Sequence, residues 1–438
     1  MDKVREAALL TLCSIDRENA FVNMALKDTL HKNRDFSPQD RAFITAIVYG
    51  TVRRRITIDY IIERNSKVRL KKISPYILNI LRMGIYQIKF MDKVPENAAV
   101  NESVKLAKRY GHGASAGFVN AMLRNIAKNE IDYPKEHIKN LCVKYSFPEW
   151  ICRLWIESYG EAFAKELMES MNRDAKVILR VNTLKTTPQK LAQKLPEGEV
   201  SKLYENAVIA KGFDVENSEE YKNGEFIAQD ISAMMASCVL APKPGECVLD
   251  ICAAPGGKTT HLAQIMENRG EIYACDIHEH KLKIIEKNAH RMGMDIIKTK
   301  QADAAVLNEE WLQKFDKILA DVPCSGLGII RKKPDIKLKS KDDGISEIQY
   351  KILSNAAKYL KTGGELVYST CTLNRAENES IIEKFLENNS GFCAVSIKDN
   401  LPKPLKKDEA EKGYVTFYPN IDGIDGFFIA KIKRCTDD

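Results

Sequence analysis

The 438-residue chain has no apolar run approaching the roughly 18 residues of a membrane span, which excludes a helical membrane protein. Paired cysteines are missing too: the eleven present are scattered, without one Cys-x-x-Cys spacing. That argues against a zinc site and a disulfide framework, so the thiols are expected to be reduced, as in the cytoplasm, with no metal bound. The opening Met1-Asp2-Lys3-Val4-Arg5-Glu6 mixes charges of both signs and no apolar core follows, unlike a secretory leader. Internal repeats and low-complexity tracts are also lacking, which excludes a solenoid. With an apolar fraction of 44%, the chain reads as globular and long enough for two or three cored domains.

Alternating, strand-like patterns are missing from residues 1–130. Apolar residues recur there at helical spacing, as at Ile61/Ile62 and at Ile77, Ile80, Leu81 and Ile85. Helix starts are marked by Ser37-Pro38-Gln39-Asp40 and by Pro95-Glu96-Asn97. This all-α region holds 23 Lys+Arg against 13 Asp+Glu, a net of +10 in a chain whose total is +7. Its densest basic stretch runs through Arg53, Arg54, Arg55, Arg64, Lys67, Arg69, Lys71 and Lys72. A solvated helix face is the plain reading; within a net-basic domain the excess favours a nucleic acid, with Arg53, Arg54, Arg55, Lys71 and Lys72 as candidate contacts.

Residues 131–240 read as a mixed α/β connector. Pro148-Glu149-Trp150 starts a helix with Trp150, Leu154 and Trp155 on one face, and 177–183 is a strand candidate. A turn-rich segment runs to about residue 225, and a helix begins at Gln229-Asp230-Ile231. From residue 241 strand and helix alternate, the pattern of a doubly wound, Rossmann-like α/β domain reaching residue 438. Strands are expected at 247–251, 271–275, 296–301, 316–320 and 364–369. Helical faces are expected at Leu282/Ile285/Ala289/Met292 and at Ile345/Ile348/Ile352/Ala356/Tyr359. In such sheets ligands lie outside the carboxyl ends of the strands, so the residues there decide the chemistry.

After the first of these strands comes Cys252-Ala253-Ala254-Pro255-Gly256-Gly257-Lys258, a glycine turn opening a helix. Glycines allow close backbone approach, and free helix-start N–H groups favour a polar or anionic ligand. A phosphate-binding P-loop is the nearest rival, but its first glycine falls on Cys252. Asp250, Asp276 and Asp303 stand at three successive strand ends. Each alone reads as a helix cap. Together they would repel a triphosphate and suit a nucleoside such as S-adenosylmethionine, with Asp276 on the ribose and Asp303 on the adenine.

The fourth strand runs into Asp321-Val322-Pro323-Cys324-Ser325-Gly326 and the fifth into Ser369-Thr370-Cys371-Thr372. Buried cysteines are usually apolar filler, but two thiols at neighbouring strand ends face the substrate crevice. Amino and hydroxyl groups bring their own lone pair to a methyl donor and need no thiol. Carbon 5 of a pyrimidine does need one. A thiolate adding to carbon 6 makes the ring an enamine, and carbon 5 then attacks a sulfonium methyl. An acid hydrogen-bonded to the ring stabilises the charge that builds. These residues alone leave open which thiol is the nucleophile.

Two sets of words carry a family resemblance. Ala7-Ala8-Leu9-Leu10, Asp40-Arg41-Ala42-Phe43, Tyr49-Gly50-Thr51-Val52-Arg53, Val100-Asn101-Glu102-Ser103 and Phe118-Val119-Asn120-Ala121 resemble the NusB-like RNA-binding fold. The glycine turn, the Pro-Cys loop and the Thr-Cys loop, with Gln229-Asp230-Ile231-Ser232-Ala233 and Asp422-Gly423-Ile424-Asp425-Gly426, resemble the RsmB/NOP family of RNA cytosine-C5 methyltransferases. The resemblance implies Cys371 as nucleophile on carbon 6, Cys324 assisting release of methylated RNA, and Asp321 contacting the base beside the cofactor. It implies S-adenosylmethionine held by Cys252 through Lys258 with Asp276, Asp303 and Asp321. The implied partner is 16S rRNA or a small-subunit assembly intermediate, met by a monomer. The family's variation at Val322 and Gly328 falls on loop positions expected to carry no chemistry. Arg180 and Arg331 are further candidate RNA contacts, each with a structural alternative, and His261 reads as a helix-surface histidine. Competing functions are a tRNA methyltransferase, a P-loop-like NTPase and a non-catalytic RNA-binding assembly factor.

Overall fold

The fold is that of a computed structural model, which describes residues 2–18, 20–341 and 344–436. The chain forms two compact units, Met1–Arg173 with Ile330–Lys341, and Asp174–Ile329 with Asp342–Asp438. Residues 131–173 thus lie with the first unit and 174–240 with the second.

The first unit is helical. Ser37 starts the helix Pro38–Arg53 through a capping box: its hydroxyl accepts from the Asp40 N–H while the Asp40 carboxylate accepts from the Ser37 N–H. The helix Glu96–Tyr110 follows Pro95. Among the described residues, seven helices up to Lys128 enclose one core in which Leu9, Ile44, Val48, Ile58, Ile62, Ile80, Leu81, Ile85 and Leu123 are buried. The helix Glu149–Tyr159 buries Ile151, Cys152 and Trp155, so its apolar face is turned from the expected one and Trp150 and Leu154 stay half-buried.

The stretch Ile330–Lys341, which holds the candidate RNA contact Arg331, belongs to this helical unit. Pro334, Asp335, Ile336 and Lys337 are buried there. Lys337 donates to the Asn172 side chain at 2.7 Å and to the Arg53 carbonyl at 3.2 Å, and its ammonium stands 3.7 Å from the Phe147 ring centroid. Burial pushes its pKa well below the usual lysine value, aided by Arg54 and Arg53.

The second unit holds two sheets. The smaller is antiparallel, in the order β2-β3-β1-β4, from β1 (Val177–Val181), β2 (Glu199–Val200), β3 (Ala207–Ala210) and β4 (Phe226–Ala228). The larger comprises β5 (Cys247–Asp250), β6 (Glu271–Asp276), β7 (Ile297–Gln301), β8 (Phe315–Asp321), β9 (Leu360–Thr370), β10 (Phe392–Ala394), β11 (Tyr414–Phe417) and β12 (Phe427–Arg434). Its order is β10-β12-β9-β8-β5-β6-β7, with β11 on β12. Strands β5 to β9 pair in parallel, β12 pairs antiparallel with β9, and β10 pairs antiparallel with β12 at the edge. Chain order reverses between β5 and β8, so their carboxyl ends form the switch-point crevice.

Alternation along the strands splits the core in two. Val248, Leu319, Val367 and Ile429 pack in one apolar cluster with the helix Ile231–Leu240. Leu249, Ile318, Leu366 and Tyr368 pack in the other with the helix Ile345–Tyr359. The expected face of Glu279–Met292 is buried at Leu282, Ile285, Ala289 and Met292, and Gly293 at φ +73° ends that helix. Ile348, expected on a buried face, is exposed.

The cysteines require one correction. Nine of the eleven stand outside any disulfide, but Cys393 and Cys435 are bridged. Antiparallel pairing of β10 with β12 sets Cys393 opposite Lys433, which brings Cys435 alongside, although 42 positions separate the two thiols. No helix among the described residues is long and apolar enough to cross a membrane.

Candidate active site

The crevice is built around Asp250 and Asp321, the last residues of adjacent strands β5 and β8. Asp250 is buried, and its Oδ2 accepts from the Thr259 hydroxyl at 2.7 Å. Burial pushes its pKa up to about 7; the Thr259 bond works the other way and Asp321 adds to the rise. Its Oδ1 is buried with no protein partner. Asp321 accepts from Lys258 Nζ at 2.6 Å and from the Ser369 hydroxyl at 2.8 Å. Burial disfavours the Lys258 charge, but Asp321 more than offsets this and holds its pKa above the usual value, with a smaller contribution from Cys371.

The glycine turn lies directly beyond β5. The Ala253 N–H donates to the Cys275 carbonyl at 2.7 Å, tying the turn to β6. Gly256 caps the helix Gly257–Ile265 at φ +96°, and a side chain on it would press on the Ile285 backbone at 3.3 Å. The turn is also held from below by Arg180. This fully buried guanidinium donates to the Gly257 carbonyl, the Gln229 side chain and, at 2.9 Å, the Thr260 hydroxyl. Burial lowers its pKa to about 9, so it stays a cation at neutral pH. Arg180 therefore supports the turn and does not face solvent RNA: a correction that β1 dictates by pointing this side chain inward.

Asp276 ends β6, and its Oδ1 accepts from the His278 N–H at 3.0 Å. Asp303 is exposed, and its Oδ1 accepts from the Ala305 N–H at 2.9 Å. Beside Asp276 the side chain of Ile277 is 49% exposed, an apolar surface that sequence reasoning passed over. The orphaned Asp250 oxygen, the bare glycines and the exposed Ile277 beside Asp276 fit a cationic nucleoside without phosphates.

The two thiols meet. Cys324 Sγ lies 3.2 Å from Cys371 Sγ. Cys371 drives the Cys324 pKa well above the ordinary thiol value, and burial adds to this. The backbone on either side is locked. Gly328 donates to the Cys371 carbonyl at 3.0 Å, and Gly426 donates to the Gly328 carbonyl at 2.9 Å. A Cβ on Gly328 would stand 2.0 Å from the Gly426 oxygen and 2.8 Å from the Cys371 oxygen. Gly328, expected to be a neutral loop position, is thus required where two loops touch. The missed residue is Glu377, buried behind the Pro-Cys loop and bonded to Ser325.

The remaining candidates lie elsewhere. Arg53 is buried, with its guanidinium on the Asn172 carbonyl at 3.3 Å; Arg54 stacks 5.2 Å from the Phe90 centroid; Arg55 pairs with Asp16 at 2.6 Å. These three hold the helical unit together and do not form an open basic face. Arg331, a candidate RNA contact, is half-buried in the stretch that joins that unit. Lys71 and Lys72 are exposed on a single turn, Leu70–Lys72. His261 is buried, not a surface residue; burial, then Arg180, depress its pKa well below the usual histidine value. Among the described residues no group of His, Cys, Asp or Glu has a metal-binding arrangement.

Comparison with known proteins fits this layout. The family model for the 16S rRNA methyltransferase RsmB/F matches residues 237–433, and the NusB family model matches 2–128. The probable ribosomal RNA small subunit methyltransferase B of Bacillus subtilis is 36% identical over 443 residues, with 98% of each chain covered. The chain belongs to the RsmB/F methyltransferase family. An RsmF/B-type ferredoxin-like domain matches 147–218, the region that supplies β1 to β3. A further RsmB relative, from Synechocystis, is 35% identical over 99% of this chain and 100% of its own. Among solved structures, PH0851 superposes with a TM-score of 0.83 at 27% identity, covering 98% of both chains. A methyltransferase homolog from Pyrococcus horikoshii gives 0.57 at 29% identity, covering 68% of this chain and 98% of that one. An RsmB/F chain with a NusB-like helical part ahead of a Rossmann-like methyltransferase domain is the architecture the sequence led us to expect.

Proposed function

We propose that this chain methylates carbon 5 of a cytosine in small-subunit ribosomal RNA, with S-adenosylmethionine as methyl donor. The observation that carries the reading is the pair of sulfurs 3.2 Å apart beyond the carboxyl ends of β8 and β9, beside an aspartate held by a lysine and a serine. An assembly factor that only binds RNA needs no such pair. An NTPase would set a triphosphate against Asp250 and Asp321. In the same reading residues 1–130 bind RNA, with the exposed Lys71 and Lys72 among the contacts, and 241–438 carry the chemistry.

The residues divide the work as follows. Cys371 as thiolate forms a bond to carbon 6, and the displaced electron pair makes carbon 5 nucleophilic. Asp321, fixed by Ser369 and Lys258, contacts the ring and orients it. When bound, S-adenosylmethionine supplies the electrophilic sulfonium methyl that carbon 5 takes; the turn Cys252–Lys258, Asp276 and Asp303 would hold it. Water acting as base then takes the carbon 5 proton, its electron pair restores the ring double bond, and the Cys371 sulfur leaves as thiolate, a release that Cys324 assists from 3.2 Å. The target base must be unpaired or turned out of its stack, because carbon 6 is otherwise shielded.

Bisulfite sequencing of cellular RNA with and without the gene tests the whole reading. One protected 16S rRNA cytosine should become convertible when the protein is missing. A lost signal in tRNA would reassign the substrate, and no lost signal anywhere would end the proposal.

A further inference from the structure

Two stretches singled out in the sequence, Gln229-Asp230 and Asp422 to Gly426, take no part in the chemistry described so far. Hydrogen bonds nevertheless run from the first of them to both halves of the crevice. Residues 229 and 230 join β4 to the helix Ile231–Leu240, and the Gln229 N–H donates to the Ile178 carbonyl of β1 at 3.0 Å, so the small sheet fixes where they lie. Asp230 has extended backbone, φ −74° and ψ 149°. Neighbouring side chains on extended backbone point to opposite sides, and these two reach different partners.

Gln229 reaches the glycine turn. Its Oε1 accepts from the Arg180 guanidinium, which also donates to the Gly257 carbonyl and the Thr260 hydroxyl. A Cβ on Gly257 would stand 3.7 Å from the Gln229 carboxamide carbon, so the amide packs against the turn itself. Asp230 reaches the cysteine side. Its Oδ1 starts the helix Ile231–Leu240 by accepting from the Ser232 N–H at 3.1 Å and the Ser232 hydroxyl at 2.9 Å. The same oxygen accepts from the Asp425 N–H at 3.1 Å. The next residue, Gly426, donates to the Gly328 carbonyl, and Gly328 donates to the Cys371 carbonyl. Gly426 is wedged there: a Cβ on it would stand 2.7 Å from Gly328 Cα and 2.8 Å from Leu373 Cδ1. One residue further on β12 begins, and it sets Phe428 opposite Thr370, the neighbour of Cys371. Asp230 and Asp425 are both buried, so little water competes for the bond between them.

We infer that Asp230 is a positioning residue for the Cys371 loop, and that with Gln229 it holds the methyl-donor turn and the nucleophile in register. Reacting atoms must meet within about 3 to 3.5 Å, and a misplacement of about 1 Å is costly, so two loops from different strand ends need a common anchor. The words donor and nucleophile rest on the methyl-transfer reading; the connection between the two loops does not.

The test uses the full-length protein. Hydrogen exchange of the ligand-free chain is read by mass spectrometry on overlapping peptides across residues 422–428, 326–330 and 252–262. In the wild type the Asp425, Gly426 and Gly328 amides should exchange slowly. Serine is as good a helix start as aspartate, but its hydroxyl sits one bond nearer the backbone and lets go of Asp425. Asp230→Ser, with an unchanged thermal midpoint, should therefore speed exchange at those three amides about tenfold, the effect of losing one hydrogen bond to a charged acceptor, and leave 252–262 as it was. Gln229→Leu should do the reverse. In methyl transfer to RNA, Asp230→Ser should lower kcat about tenfold at an unchanged donor KM, and Gln229→Leu should raise the donor KM about tenfold at an unchanged kcat. Free exchange of Asp425 and Gly426 in the wild type would overturn the assignment with no variant needed. So would a folded Asp230→Ser protein with wild-type exchange at all three amides, loosening of both regions alike by either variant, or a donor KM that rises in Asp230→Ser while kcat holds. The exchange measurement contains neither RNA nor methyl donor, so its failure leaves methyl transfer standing. A wild type that transfers no methyl group would end that reading, and the exchange pattern would still decide the connection.

Discussion

Cys371 and Cys324 are separated by 47 positions in the chain and by 3.2 Å between sulfurs, so exchanging one for alanine does not mimic losing the other. Cys371→Ala should reduce methyl transfer to background and form no covalent RNA adduct. Cys324→Ala should slow turnover and leave an RNA adduct visible on a denaturing gel; the opposite pattern would swap the two roles. Asp250 gives a second test at this scale. Its pKa rises from 3.8 in the unfolded chain to about 7, so between those values the folded state binds the proton and the unfolded state does not. Stability from this group is therefore greatest below pH 4, falls as pH climbs to about 7, and is flat beyond. Asp250→Asn should remove that decline and make the protein more resistant to urea than the wild type at pH 8, by a few kcal/mol on the order of the shift. Equal urea midpoints at pH 8 would show that the buried carboxyl carries no such penalty.

Among the elements, what the sequence made legible is local. The five parallel strands follow from short strand-like segments alternating with helices, the helix Glu279–Met292 from a period of 3.6, and the helix start at Ser37 from four neighbouring residues. Strands β2, β3 and β4 escaped because they lie in a turn-rich segment and are defined by pairing, β3 and β4 with β1 and β2 with β3. Positions fixed by distant partners were also hidden. Arg180 meets Gly257 and Thr260 across 77 and 80 positions. Gly328 needs to be glycine because Gly426 approaches it, not because of its own backbone angle. The motif words for the turn and both cysteine loops were readable; the hydrogen bonds that lock them were not. Gly328→Ala should therefore abolish activity and destabilise by about 3 kcal/mol or more, at or above the usual cost of overpacking, measured by chemical denaturation. Arg180→Met should weaken methyl-donor binding at least tenfold in calorimetry while RNA affinity holds. An equal loss of RNA affinity would return Arg180 to the RNA surface.

For the whole molecule, the surplus of positive charge lies in the helical region, but burial of Arg53 and pairing of Arg55 leave Lys71 and Lys72 as the open cations among the candidates. Replacing both with alanine should lower RNA affinity at low salt and reduce the slope of log affinity against log salt by about 0.7 to 0.9 for each phosphate no longer neutralised. Turnover at saturating RNA should not change. An unaltered salt slope would move the RNA surface elsewhere.

The route of the chain between residues 329 and 342 bears on anyone wishing to work with halves. Residues 330–341 belong with the helices, while the strands before and after them do not. A single cut at residue 173 thus separates neither half cleanly. The front piece would be missing the lysine that plugs the gap between Asn172 and Phe147, and the rear piece would carry that same charged plug, with Pro334 and Ile336, stripped of its socket. Soluble halves call for excising or bridging this excursion, a design rule written into the thread of the backbone.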